Sequence, residues 1–342
     1  MGPALARQQL QEAQTYRLLG YRAGNLVYRC LNGAMLDDLL VFHSSPKTSQ
    51  AGLVGGPAMV AVDEVITQIP SYFIDPELAC PATTFYRSVH AQGHLIELKA
   101  LSDKARALEA LMHKYQPEGG YLPLNQARYE RTLGGLLVFA LQIEQLTGRH
   151  KLGQNRNASQ LTALIEALWE RGEPGDPRAI ELVLRANPKL ERPEFLKGPA
   201  GSWLVPQLEP AELNAAVALT EGQYWQQGVP AAVIAESFAH STVWVGAKLG
   251  DELVATARAL SDGAKLAYVA DVAVAPHCRG LGIGTRCLGL LLDHPSLRKV
   301  TKTMLHTRGA QQFYARFGFR RVAASLASGT VEMQRGPRHQ DG

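Results

Sequence analysis

Three glycines at alternate positions, Gly280, Gly282 and Gly284, stand between two apolar runs. The run before them, Leu266 to Val274, reads as a strand that ends at Pro276. The run after them, from about Thr285 to Leu292, reads as a helix. Strand, glycine turn and helix start, in that order, make an anion site. Glycine accepts positive φ and lets a ligand approach the backbone. The first amides of a helix have no partner within it and can point at a phosphate. The spacing departs from the Gly-x-Gly-x-x-Gly of dinucleotide turns, and no lysine precedes Thr285 as a triphosphate loop requires. By itself the stretch reads either as a phosphate cradle or as a plain glycine-rich turn.

Arg279-Gly280-Leu281-Gly282-Ile283-Gly284 resembles the acetyl-CoA pyrophosphate loop of the GNAT superfamily of N-acetyltransferases. Downstream, Phe313-Tyr314-Ala315-Arg316-Phe317-Gly318-Phe319 is similar to that family's next element, a short helix ending in Phe-Tyr-x-x-x-Gly-Phe. The resemblance implies acetyl-CoA as acyl donor. Its pyrophosphate would lie on residues 279–285 and its pantetheine arm along the backbone of Val272, Ala273 and Val274, as in strand addition. Direct transfer to an amine needs a neutral nucleophile and a proton for the departing thiolate. Tyr314 sits where the family's phenol donor lies. Asp271 is expected either to take the amine's proton or to bind the substrate ammonium. On a regular strand it faces opposite to Val272 and Val274.

The elements around these residues read in a consistent order. Trp203 to Leu208 suggests a strand, and Pro210 to Glu221 and Pro230 to His240 suggest helices. Strands follow over residues 241–247, 253–260 and 265–274. Then come the glycine loop and its helix, a strand from Val300 to Leu305, a helix from Gly309 to Arg316, and a last strand from Phe319. Thr220 to Gln227, with Tyr224 and Trp225, is expected on the acceptor side by analogy of fold. His240, His294 and His306 have no comparable placement argument.

The first half reads differently. Residues 16–21, 26–31 and 39–43 look like short strands joined by turns, which suggests an antiparallel meander. Further strands fall at 57–62, over 85–98, and from Leu136 to Ile143. Ser102-Asp103 caps a helix through Tyr115. Many short strands with one helix suggest a small barrel. Ser44, Ser45 and Lys47 follow a strand end and offer hydroxyl and ammonium donors to a phosphate. Tyr86, Arg87 and Ser88 open another strand, and His43 precedes the serine pair. Taken alone, a Ser-Ser-Pro-Lys turn reads more readily as a solvated loop.

His43 to Lys47, Ile69 to Phe73, Cys80 to Val89, Lys114 to Gly120 and Lys151 to Arg156 together carry a second resemblance. They are similar to the FMN-binding split barrel of the pyridoxamine 5′-phosphate oxidase superfamily, in its nitroimidazole-resistance-like branch. This implies FMN bound by His43, Ser44, Ser45, Lys47, Tyr86, Arg87 and Ser88. The whole chain resembles fusions of this barrel to an acetyltransferase.

The expected fold class is therefore α+β: a split β-barrel over 1–156, a helical bridge and linker over 157–201, and a GNAT α/β domain with a mixed central sheet over 202–335. Residues 336–342 are expected to be a disordered tail. The bridge helices, Ser159 to Trp169 and Arg178 to Ala186, are expected to pack on the barrel. At 342 residues two domains are the natural prior. A formal charge of +4, without a dense Lys/Arg run, gives no reason to expect nucleic acid. No apolar stretch approaches a membrane span, and Met1 to Gln14 is unlike a signal peptide. Four cysteines without zinc or disulfide spacing imply a reducing, cytoplasmic setting and no metal. The expected function is acetyl transfer to a small-molecule amine, with a homodimer formed through the barrel. The alternatives are a flavin-dependent oxidoreductase with an accessory GNAT domain, and a flavin-sensing regulatory binder.

Overall fold

The computed structural model describes residues 1–322 and 329–337, in two compact units. The first unit comprises 1–65 and 85–151; the second comprises 66–84 and 152 onward. Of the expected tail, residues 338–342 lie outside the described residues.

In the first unit, α1 (Pro3–Glu12) leads into β1 (Tyr16–Arg22), β2 (Asn25–Leu31), β3 (Ala34–Leu36) and β4 (Leu39–Ser44). The long strands β5 (Pro57–Ile69), β6 (Thr83–Glu97) and β7 (Leu137–Lys151) follow, with α2 (Leu101–Tyr115) and α3 (Glu130–Gly135) between β6 and β7. The sheet order is β2-β1-β5-β6-β7-β4-β3. The expected meander therefore splits in two. β1 pairs with β2 at one end, while β3 and β4 form a separate hairpin whose outer partner is β7. The curl of the sheet brings the distant strands together. Tyr16 of β1 and Phe42 of β4 meet ring to ring at 5.9 Å, and Leu18, Phe42, Val60, Val89 and Phe139 share one core. That shared interior is what makes the sheet a barrel rather than a flat layer. β7 bulges at Glu144, opposite Gln92 and Gly93 of β6, and a Cβ on Gly93 would meet the Gln142 carbonyl oxygen at 1.8 Å.

The second unit includes the bridge helices α4 (Ala158–Arg171) and α5 (Asp176–Ala186). Long-range polar pairing, unseen in local sequence, gives them partners within this unit, one of them on the end of β5. Asn157 caps α4 through a reciprocal box with Gln160. The Trp169 indole donates to Asp293 at 3.1 Å. Asp176, fully buried, accepts from Thr67 at 2.8 Å and from Arg171 at 2.5 Å. The triad ties Thr67, at the end of β5, to α4 and α5.

Next come β8 (Trp203–Val205), α6 (Leu213–Thr220), α7 (Ala231–Ala239), β9 (Val243–Leu249), β10 (Glu252–Ser261), β11 (Leu266–Val274), α8 (Ile283–Asp293), α9 (Pro295–Arg298), β12 (Lys302–Thr307), α10 (Gln311–Ala315), β13 (Arg320–Arg321) and β14 (Val331–Arg335). The order β13-β14-β12-β11-β10-β9-β8 makes a mixed sheet, because β11 and β12 run parallel and the other paired neighbours antiparallel. α8 is the crossover that a parallel pair requires, and it packs on β9, β10 and β11. Its buried face carries Ile283, Cys287, Leu288 and Leu291. The fold class is the α+β pairing of barrel and mixed sheet that the sequence suggests. No helix among the described residues is long and apolar enough to cross a membrane.

Candidate functional site

β11 and β12 pair only over Leu266–Tyr268 and Lys302–Met304, and then part. Beyond Tyr268, β11 keeps its ladder with β10 but not with β12. A bulge lies in the same stretch: Asp271 and Val272 oppose the single residue Ala257, and Asp271 takes φ +49°. A bulge bends the strand that carries it and increases its twist. The result is a strand edge open from Val269 to Val274, facing a cleft of about 900 Å³.

The glycine loop closes one end of that cleft. Gly280 and Gly282 have φ +79° and +84°, the left-handed region that favours glycine. Gly282 is the N-cap of α8 and supplies no side chain to its first amides. Gly284 serves packing instead: a Cβ there would lie 2.9 Å from Val274, so its absence lets the first turn of α8 close on β11. Arg279 folds back and donates to the Val274 carbonyl at 3.2 Å. All residues of 272–274 and 279–285 line the cleft except Leu281, whose side chain turns outward at 46% exposure. An open strand edge and a row of uncapped helix amides thus converge, one suited to an extended amide-bearing chain and the other to a phosphate.

Residues 209–319, which hold this cleft's loop and strands, match the acetyltransferase (GNAT) family, and residues 6–150 match the pyridoxamine 5′-phosphate oxidase family. The chain joins one domain of each family. No curated protein matches it. Among solved structures, a FAD- and heme-binding protein from Mycobacterium smegmatis aligns at 20% identity, over 47% of this chain and 78% of its own, with a TM-score of 0.40. A protein from Xanthomonas campestris described as a GNAT-family acetyltransferase aligns at 26% identity, over 39% and 97%, with a TM-score of 0.34. An aminoglycoside 6′-N-acetyltransferase complexed with coenzyme A aligns at 17% identity, over 39% and 96%, with a TM-score of 0.35.

In the acetyltransferase domain, Tyr314 lies on α10 and lines the cleft, half-buried against Phe313 and Phe319. Burial, and then the neighbouring phenols of Tyr224 and Tyr268, push its pKa well above that of an ordinary tyrosine. The hydroxyl therefore keeps its proton through neutral pH.

Asp271 is placed differently from expectation. One carboxylate oxygen accepts from the Trp225 indole at 2.7 Å and the Gln226 amide at 2.8 Å. The other pairs with Arg258 Nε at 2.5 Å. The bulge breaks the strand alternation on which the expected orientation rested. A carboxylate with three donors in place is poorly suited either to take a proton from the amine or to anchor its ammonium. It ties the 223–226 segment to β11. Arg258, which carries no motif, is the functional residue that sequence reasoning missed; its burial between Phe238 and Asp271 is purely tertiary. Asp271→Asn keeps an acceptor for Trp225 and Gln226 but leaves the Arg258 charge unpaired in a site where its side chain is 11% exposed. Breaking a buried ion pair costs about 3–5 kcal/mol, so the urea midpoint should fall markedly. An unchanged midpoint would return Asp271 to the role of a base free of structural duty.

The segment expected on the acceptor side contributes to the cleft wall. Gln223 to Gln226 line the cleft, with Tyr224 and Trp225 edge to face at 4.9 Å. The Tyr224 hydroxyl accepts the Arg308 amide at 2.8 Å, and the Arg308 guanidinium covers its ring.

In the barrel domain the expected flavin contacts fall into two groups. His43 and Ser44 pair with Val138 and Leu137, at the start of the 15-residue β7. Tyr86, Arg87 and Ser88 pair with Lys151, His150 and Arg149, at its end. The strand register thus separates them. Ser44, Ser45 and Thr48 form a hydroxyl-rich turn, with Lys47 exposed beside it. Arg87 is only 8% exposed, and its guanidinium gives Nε and Nη2 to Glu64 at 3.0 and 2.7 Å. Arg87 was expected to reach the flavin; its charge is already compensated inside the barrel wall, where a buried arginine needs a carboxylate.

Proposed function

We propose that this protein transfers the acetyl group of acetyl-CoA to the amino group of a small molecule in the cytoplasm, using the cleft between β11 and β12. The observation that carries this reading is the opening of the strand pair beyond Tyr268, beside the uncapped start of α8. The free edge of Val272–Val274 would take the amides of the pantetheine arm, and the first-turn amides of α8 would take the pyrophosphate. The thioester would then lie near the bulge at Asp271, with the amine arriving past Tyr224 and Trp225. As nitrogen bonds to the acetyl carbon and the carbon–sulfur bond breaks, Tyr314 gives its proton to the sulfur. Isothermal titration of the full chain with acetyl-CoA, together with thiol release from a panel of amines, tests the reading. Absence of both sinks it.

For the barrel, the residues fit a phosphate at the Ser44–Thr48 turn and do not fit one at Arg87. FMN bound at that turn would supply redox or sensing chemistry, and a second copy of the chain, joined through the barrel, belongs to this reading. Lys47→Ala should weaken FMN binding by roughly 10-fold or more, the worth of one charge-assisted contact of about 1.5–3 kcal/mol. Arg87→Ala should instead act on barrel stability, because it removes the buried end of the Arg87–Glu64 ion pair. FMN fluorescence quenching separates the two; equal affinity loss in both variants would reinstate Arg87 as a ligand.

A further inference from the structure

With Asp271 held by Arg258, Trp225 and Gln226, the amine's proton needs another destination. We propose that the Tyr268–His306 pair on the diverging strands takes the proton from the incoming amine. The inference rests on the acetyl-transfer reading of the same cleft.

Tyr268 and His306 both line the cleft, on β11 and β12 where those strands part. The Tyr268 hydroxyl lies 3.0 Å from His306 Nδ1, with the rings tilted at 5.8 Å between centroids. Among the described lining residues, the other groups that ordinarily titrate between acid and mildly alkaline pH are Asp271 and Cys278. Asp271 is occupied, and Cys278 is 1% exposed beneath the loop. Imidazole is the side chain whose ordinary charge change lies nearest neutral pH.

His306 has a carboxylate on the neighbouring strand. Glu332 stands directly across from it on β14, its carboxylate accepting from Gln334 at 2.6 Å. Around the same cleft, the Arg308 charge lies over Tyr224, Arg258 is matched by Asp271, and Tyr314 carries a phenol. Burial, then Asp271, push the Tyr268 phenol upward, so it relays a proton and does not store charge.

The step balances. The substrate ammonium gives one proton to the Tyr268 oxygen as the phenol proton moves to His306 Nδ1. The neutral nitrogen bonds to the acetyl carbon, and the carbon–sulfur bond breaks. Tyr314 protonates the sulfur and recovers the nitrogen's second proton. The products are amide, free thiol and imidazolium, which then returns its proton to water.

The test is thiol release from acetyl-CoA with phenylethylamine, L-phenylalanine, spermidine and kanamycin, measured against pH. His306→Gln should lower kcat about 10²-fold or more, flatten the acidic limb of the kcat/KM profile, and leave acetyl-CoA affinity unchanged by calorimetry. Added imidazole should restore part of the rate. Tyr268→Phe, which keeps the ring, should show a smaller loss with the same change in the limb. A His306→Gln enzyme with wild-type kcat and an unchanged acidic limb overturns the proposal while leaving acetyl transfer intact. Wild-type protein that binds acetyl-CoA yet releases thiol with none of these amines overturns this proposal and the acetyl-transfer reading together.

Discussion

Gly282→Val is expected to abolish acetyl-CoA binding. Gly282 holds φ +84° as the N-cap of α8, a conformation that a β-branched residue adopts only under strain. The nearest atom to a Cβ there is Pro199 Cγ at 3.7 Å. The protein's own packing would therefore tolerate the added atoms, and the lost space is the approach of a ligand to the backbone. Backbone strain of this kind costs about 1–3 kcal/mol, small enough for the domain to stay folded. Calorimetric titration with acetyl-CoA should show no heat of binding, while circular dichroism and the thermal midpoint remain close to wild type. Binding of acetyl-CoA at wild-type strength would reduce the loop to a plain turn. Unfolding of the variant would call for Gly282→Ala, which keeps most of the strain test with less bulk.

Tyr314→Phe should lower kcat by about 10²-fold with acetyl-CoA affinity nearly unchanged. The low end of the range for general acid catalysis applies because a thiolate is a moderate leaving group, its thiol having an ordinary pKa of about 8.5. Burial holds the Tyr314 proton tightly, which keeps the acid form populated but weakens the drive to give the proton up. The sign for pH follows. A phenol with a raised pKa stays protonated to higher pH than usual, so no loss of rate from this group should appear below the ordinary tyrosine value of about 10. An alkaline limb near pH 8 that vanishes in Tyr314→Phe would contradict this environment. Lost donor affinity in the variant would make the hydroxyl a binding group.

The local features of the site are legible along the chain because the chemistry that dictates them is local. Positive φ at Gly280 and Gly282, and the uncapped start of α8, follow from residue types within six positions of one another. The strand before the loop is read in the same way, from its apolar run, and the helix carrying Tyr314 from its resemblance to the GNAT family's Phe-Tyr-x-x-x-Gly-Phe element. Two domains of the α+β class follow from length and from the change of pattern between the halves.

Only the tertiary structure decided which groups meet. Trp225 and Gln226 reach Asp271 across 46 and 45 residues, and Arg258 across 13. No periodicity announces such partners, and they change Asp271 from a candidate base into a fastening. Arg87 likewise finds Glu64, 23 residues away on β5. Sheet order is decided in the same manner. β4 lies beside β7 because the curled sheet buries Phe42 against Phe139 and Tyr16 together, not because of any turn near residue 40. The Tyr268–His306 pair exists because two parallel strands part just where their side chains still touch. A strand's own sequence specifies which residues share its face, whereas register and divergence are set by what the neighbouring strand and the crossover helix must bury.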